Sequence, residues 1–281
     1  MKEQILSCCK ELRLSTTFAE NALTMSGSTP QEYLLEVLRA EIDYRNNKRK
    51  KLHLKQAGFD NLKTFEGYDF NKIIIPNTIR IDGIKTLDFM SRNENLILYG
   101  RNGAGKSHMA AAIGVEACIQ GKKVKFYKTA SLVNELTDAK SDGSLTKLLK
   151  RLSKLDLLIC DEWGYLPFDA EGSQLLFQVI ADCYEKRSLI LTTNIEFSKW
   201  NGIFYDDQLT AALIDRLVHH SHLIVFDRES WRFEHSLMKD SATQQLSRVL
   251  HFCIALCYTL GLQNTDCRIM LMQSGDSTID G

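Results

Sequence analysis

Residues 100–107 read Gly-Arg-Asn-Gly-Ala-Gly-Lys-Ser, a complete G-x-x-x-x-G-K-[ST] pattern. The glycines let the backbone curl so that successive N–H groups face a phosphate. A helix starting at the end of the loop adds partial positive charge. Lys106 can reach β- and γ-phosphates, and the Ser107 hydroxyl can ligate Mg²⁺. The candidate nucleotide-binding residues are therefore Gly100, Arg101, Asn102, Gly103, Ala104, Gly105, Lys106, Ser107 and His108.

A second chemical signal follows about 55 residues on, where Leu155-Asp156-Leu157-Leu158-Ile159-Cys160 delivers two adjacent carboxylates, Asp161 and Glu162. Asp161 is the natural partner of Ser107 in holding Mg²⁺. Glu162, one residue further, can polarise an attacking water as a general base. This pair favours hydrolysis over transfer to a small acceptor. Asn194 ends the run Ile190-Leu191-Thr192-Thr193, and one side-chain amide can bond both a terminal phosphate and a water. The same Thr-Thr-Asn also makes a good strand-to-turn exit. Arg216, in Asp215-Arg216, can either reach across a subunit boundary to a neighbour's γ-phosphate or form an ordinary surface pair. Arg232 is a candidate second phosphate contact, and Trp231 beside it reads as packing. His219, His220 and His222 read as a polar helix end, because no further metal ligand stands near them in the sequence.

These groups need a scaffold that brings distant segments to one edge. Five short, continuous apolar runs are expected as buried parallel strands: Leu96–Tyr99, Val124–Tyr127, Leu155–Cys160, Leu189–Thr193 and Leu223–Phe226. Amphipathic stretches at 106–120, 129–139, 144–153, 171–186 and 206–219 alternate with them. The expected fold is α/β, a doubly wound parallel five-stranded P-loop domain whose ligands sit at the carboxyl ends of the strands.

A small helical N-terminal domain is expected over 1–63. Thr29-Pro30 marks a helix start, and Gly58 is expected to end that helix. Residues 1–63 hold 11 Lys and Arg against 8 Asp and Glu, whereas the whole chain of 281 residues is neutral. The basic run Arg45, Lys48, Arg49, Lys50, Lys51 and Lys55 reads either as a DNA-phosphate contact or as a solvated helix face. Residues 64–95 form an aromatic linker into the P-loop domain at 96–239, and 240–281 form an atypical tail with a mobile end. The eight cysteines show no C-x-x-C spacing and read as reduced thiols in a cytoplasmic protein. The N-terminus lacks the apolar core of a signal peptide, and the longest apolar stretch is short for a membrane span.

With the motifs placed, the chain resembles the IstB family, the AAA+ ATPase helpers of bacterial insertion-sequence transposases. It is similar, more distantly, to the replicative helicase loader DnaC. The resemblance rests on Glu41-Ile42-Asp43-Tyr44-Arg45, Ala57-Gly58-Phe59, the phosphate loop, Asp161-Glu162-Trp163-Gly164-Tyr165-Leu166-Pro167, Thr192-Thr193-Asn194, Asp215-Arg216-Leu217-Val218-His219-His220, and Glu229-Ser230-Trp231-Arg232 through Ser236-Leu237-Met238-Lys239. It implies an AAA+ homo-oligomer that binds ATP and Mg²⁺, assembles on duplex DNA and serves a transposase, with no membrane role. Carried onto this chain, Lys106, Glu162, Asn194 and Arg216 are catalytic, Ser107 and Asp161 hold the metal, and residues 45–55 contact DNA. Arg216 then acts between subunits. Adenine specificity is also only implied. A helicase loader would share the ATPase core and differ in what its N-terminal helices grip. Two features depart from the family pattern: Arg101-Asn102 stand where relatives often carry Pro-Pro, and the residues after Lys239 are foreign to it.

Overall fold

A computed structural model describes residues 2–165, 168–204 and 206–227. Arg232, Trp231 and the expected tail at 240–281 lie outside the described residues. Three helices come first, α1 (Lys2–Glu11), α2 (Thr16–Thr24) and α3 (Pro30–Ala57). A short strand β1 (Ile73–Ile74) and the helices α4 (Ile81–Thr86) and α5 (Asp88–Ser91) follow. Strands then alternate with helical segments: β2 (Asn95–Gly100), α6 (Lys106–Ile119), β3 (Val124–Lys128), α7 (Thr129–Ser141), α8 (Leu145–Leu152), β4 (Leu157–Trp163), α9 (Ala170–Cys183), β5 (Ser188–Thr193), a 3-10 helix (Phe197–Gly202), α10 (Asp207–His219) and β6 (Ser221–Phe226).

The sheet order is β1-β6-β2-β5-β4-β3. The five apolar runs are the five parallel strands, while β1 adds a sixth, antiparallel strand on the edge of β6. Two residues inside the aromatic linker carry no period of their own, so only pairing with β6 makes them a strand. Strand β4 also runs further than its apolar residues suggest. Asp161, Glu162 and Trp163 continue it through an irregularity in its pairing with β5.

Alternation along the buried strands sorts side chains into two cores. Leu158 and Cys160 join Leu136, Trp163, Trp200 and Phe204 on one side, whereas Leu157 and Ile159 join Leu96, Leu98, Met109 and Ile113 on the other. The end of α3 reaches this second core through fully buried Ala57. Its other end is fixed as the sequence suggests: the Thr29 hydroxyl accepts from the Glu32 N–H at 3.2 Å, with Pro30 in the first turn. The Ser15 hydroxyl caps α2 by accepting from the Phe18 N–H at 3.0 Å and also donates to the Glu41 carboxylate of α3.

The five described cysteines are free thiols. Burial pushes Cys118 up to about 12 and Cys183 up to about 11, so these thiols pack rather than react. No described helix is long and apolar enough to cross a membrane.

Candidate nucleotide site

Strands β2, β4 and β5 run in the same direction, so their carboxyl ends share one edge of the sheet. The phosphate loop leaves that edge from β2 and enters α6. Gly100 has φ 151, and a Cβ there would stand 2.6 Å from the Phe226 carbonyl oxygen, so glycine is required where β2 passes β6. Gly105 caps α6 at φ 94, which turns the helix's first N–H groups outward. Lys106 is buried, and its ammonium donates to the Gly100 and Arg101 carbonyls at 2.7 and 2.8 Å. The cation is thus held by the two carbonyls at the start of the loop.

Asp161 is 4% exposed. Its Oδ1 accepts from Ser107 Oγ at 2.8 Å and also from Thr192 Oγ1. Thr192 accepts in turn from the Glu162 N–H at 3.0 Å, while Thr129 Oγ1 donates to the Asp161 carbonyl at 2.8 Å. The acid pair is therefore clamped from three sides. Glu162 takes φ 58, the left-handed region that a non-glycine residue seldom occupies. That turn leaves Asp161 inside and puts the Glu162 carboxylate, about half exposed, at the rim, 3.7 Å from Lys128 Nζ. Sequence motifs do not point to Thr192, Thr129 or Lys128. Thr192 lies within the motif that ends at Asn194, and nothing in the sequence spacing links Thr129 or Lys128 to the acids.

Asn194 leaves the sheet at the exit of β5, between the phosphate loop on β2 and the acids on β4. It is exposed and lines a cavity of about 350 Å³ with Gly164, Ile195, Glu196, Lys199, Gly202 and Ile203. Arg101 and Asn102 are exposed on the loop. His108 turns toward the linker, where its Nε2 lies 3.0 Å from the Thr64 carbonyl and its ring 4.9 Å from that of Tyr68. The Tyr68 hydroxyl donates to the Gly105 carbonyl at 3.2 Å, so the linker's Phe65, Tyr68 and Phe70 cluster flanks the loop.

Arg216 is elsewhere. Helix α10 runs back toward the amino ends of the strands, where the His220 carbonyl accepts from the Asn95 N–H. There the Arg216 guanidinium lies 5.0 Å over the Phe177 ring. The basic run splits as well. Arg45 is tied to Glu41 at 2.7 Å and to the Arg13 carbonyl at 2.7 Å, which binds α3 to the residues linking α1 and α2. Lys48, Arg49, Lys51 and Lys55 are exposed, and Lys50 is partly buried. His222 is buried between Thr78 and Glu94, apart from His219 and His220.

A parallel sheet of this order with a phosphate loop after its central strand β2 defines a P-loop protein of the AAA+ class. Within that class the chain belongs to the family of IstB-like ATP binding proteins, whose sequence model matches residues 10–239. An ATP-binding protein of insertion sequence IS5376 from Geobacillus stearothermophilus is 36% identical over 246 residues, 85% of this chain and 98% of that one. The corresponding protein of IS21 from Pseudomonas aeruginosa is 38% identical over 206 residues, 73% of this chain and 77% of that one. A solved structure of the replication initiator DnaA, bound to AMPPCP and single-stranded DNA, shares the fold at TM-score 0.50 and 20% identity. That match covers 66% of this chain and 56% of the initiator.

Proposed function

We propose that this chain is a Mg²⁺-dependent ATPase that assembles with copies of itself on duplex DNA and assists the transposase of its insertion sequence, in the cytoplasm. The observation that carries the reading is the shared contact of Ser107 and Thr192 on buried Asp161, beside the Lys106 loop. A hydroxyl and a carboxylate on one point are the oxygen donors Mg²⁺ takes, so Ser107 and Asp161 would hold it. The bound metal would neutralise charge developing on the transferred phosphoryl group. The loop amides and Lys106 bind and orient the phosphates of ATP. Glu162, held outward by its left-handed backbone, accepts the proton of the attacking water, and Lys128 holds that carboxylate in place beforehand. Asn194 orients the same water.

Arg216 sits at the amino edge of its own sheet, so its role requires a neighbouring subunit's nucleotide, which makes assembly part of catalysis. The exposed cations Lys48, Arg49, Lys51 and Lys55, with Lys50 beside them, supply the DNA contact, and Arg45 mainly holds the helices that present them. Names of relatives as insertion-sequence proteins support the transposase as partner.

The test measures ATP turnover with and without duplex DNA, alongside particle size with and without ATP. Turnover that rises on duplex DNA, with particles that grow when ATP is present, is expected. An ATP-bound monomer whose turnover ignores DNA would overturn the reading.

A further inference from the structure

His219 and His220 look like a bare helix end in the sequence because nothing beside them could complete a metal site. The fold brings a third ligand from another segment. Glu185 lies in the turn between α9 and β5, and that turn meets the end of α10 at the amino edge of the sheet, away from the phosphate loop. His220 Nε2 stands 3.1 Å from Glu185 Oε1. The His219 and His220 rings have centroids 4.4 Å apart. One ligand atom from each of the three residues lies within 4.8 Å of the others.

Three further features suit a cation at this point. The Tyr184 hydroxyl lies 3.0 Å from His219 Nδ1, which leaves Nε2 to face a metal and fixes the ring as metal-bound imidazoles usually are. Asn93 Nδ2 donates to the Glu185 carbonyl at 2.9 Å, holding a residue whose φ of 57 turns its side chain toward the helix end. The last turn of α10 ends there, the pole of the helix that attracts positive charge.

We propose that Glu185, His219 and His220 bind one transition-metal dication, with Zn²⁺ the best match. Two imidazoles, one carboxylate and a water make a four-coordinate zinc set. Bonds of about 2.0–2.1 Å in tetrahedral geometry put neighbouring ligand atoms about 3.3 Å apart. The His220–Glu185 pair is already near that spacing, and closing the remaining separation of up to 4.8 Å takes a side-chain movement of about 1.5 Å at His219. The metal would tie the α9–β5 turn to the α10–β6 junction and so fix the helical turn that carries Arg216, one turn before His220. The assignment stands whether or not the chain hydrolyses ATP.

The test uses the full, untagged chain stripped with a chelator, then titrated with Zn²⁺ against a chromophoric competitor and separately with Co²⁺. One equivalent of Zn²⁺ should bind in the presence of excess Mg²⁺. The double variant His219→Ala/His220→Ala should weaken that equivalent by at least about 100-fold, and Tyr184→Phe by about 10-fold. Glu185→Gln, in an exposed turn, should weaken it with an unchanged circular dichroism spectrum, and serves if the double variant fails to fold. Bound Co²⁺ should show four-coordinate visible bands without the sulfur-to-cobalt charge-transfer band that cysteine ligation gives. Unchanged Zn²⁺ affinity in a folded Glu185→Gln or double variant, or cobalt bound only through sulfur, would overturn the proposal.

Discussion

Helices α3 and α6 differ in what their residues face. In α6, ten of 14 residues are buried, because the helix lies against the sheet with β2, β3, β4 and β5 beneath it. In α3, three of 28 are buried, Val37, Glu41 and Ala57. Its exposed face carries Leu34, Leu38 and Ile42 at helical spacing, then the basic run. A helix closed in on its own core serves to hold the site at its N-terminus. A helix that leaves an apolar stripe and a row of cations in solvent offers a surface to something else, which the proposed DNA contact and self-assembly would cover. The nucleotide edge should therefore be sensitive to single atoms, and α3 to aggregate charge.

The sharpest break between the two regions lies at Glu162. Glu162→Gln should slow ATP turnover by about 10²–10⁴ while ATP and DNA stay bound, because only the proposed proton acceptor is lost. Lys106→Ala, by contrast, should weaken ATP itself by at least about 100-fold, since the loop loses its cation. Both are read by turnover and nucleotide titration, and normal turnover in Glu162→Gln would remove the mechanism.

Backbone geometry comes next. Gly100→Ala should destabilise the chain by about 2–4 kcal/mol in denaturant unfolding, because the new Cβ meets a backbone oxygen rather than a side chain that can swing away. A fully stable variant would mean that β2 and β6 do not approach as described.

On α3 the expected effects are smaller and collective. Replacing Lys48, Arg49, Lys51 and Lys55 by Ala should lower the dependence of duplex-DNA affinity on salt by up to about 3.6 in log–log slope, close to 0.9 per phosphate contact. ATP affinity should not change. An unchanged slope would make this run a solvated face and move the DNA contact elsewhere.

Smallest is the tie between α2 and α3. Ser15→Ala removes a helix cap and a bond to Glu41, about 1–2 kcal/mol. Burial raises the Glu41 carboxyl, but hydrogen bonds from Ser15 and Arg45 outweigh it and hold the group below the usual carboxylate range. A depressed native value stabilises the fold above the unfolded-state value, near 4.3, and that stability fades as pH falls through the native one. Ser15→Ala should flatten this acid limb, as followed by helical signal against pH. A limb of unchanged steepness would show that Glu41 does not depend on Ser15.

The chemistry-bearing loop, the acid pair, the five parallel strands and the start and stop of α3 were legible in the residues themselves. Each is set by local rules: a fixed phosphate-loop spacing, continuous apolar runs that must be buried, a capping Thr followed by Pro, and a glycine where φ turns positive. Tertiary structure alone decided the partners. Thr192 meets Asp161 only because β5 lies between β2 and β4, Glu185 meets His219 and His220 only because two turns share the amino edge, and β1 exists only because β6 pairs with it. Arg45 and Lys48 look alike in sequence, yet one is spent on Glu41 and the other stays in solvent. Contacts of this kind depend on where distant segments come to rest, and no local pattern of spacing or propensity encodes that.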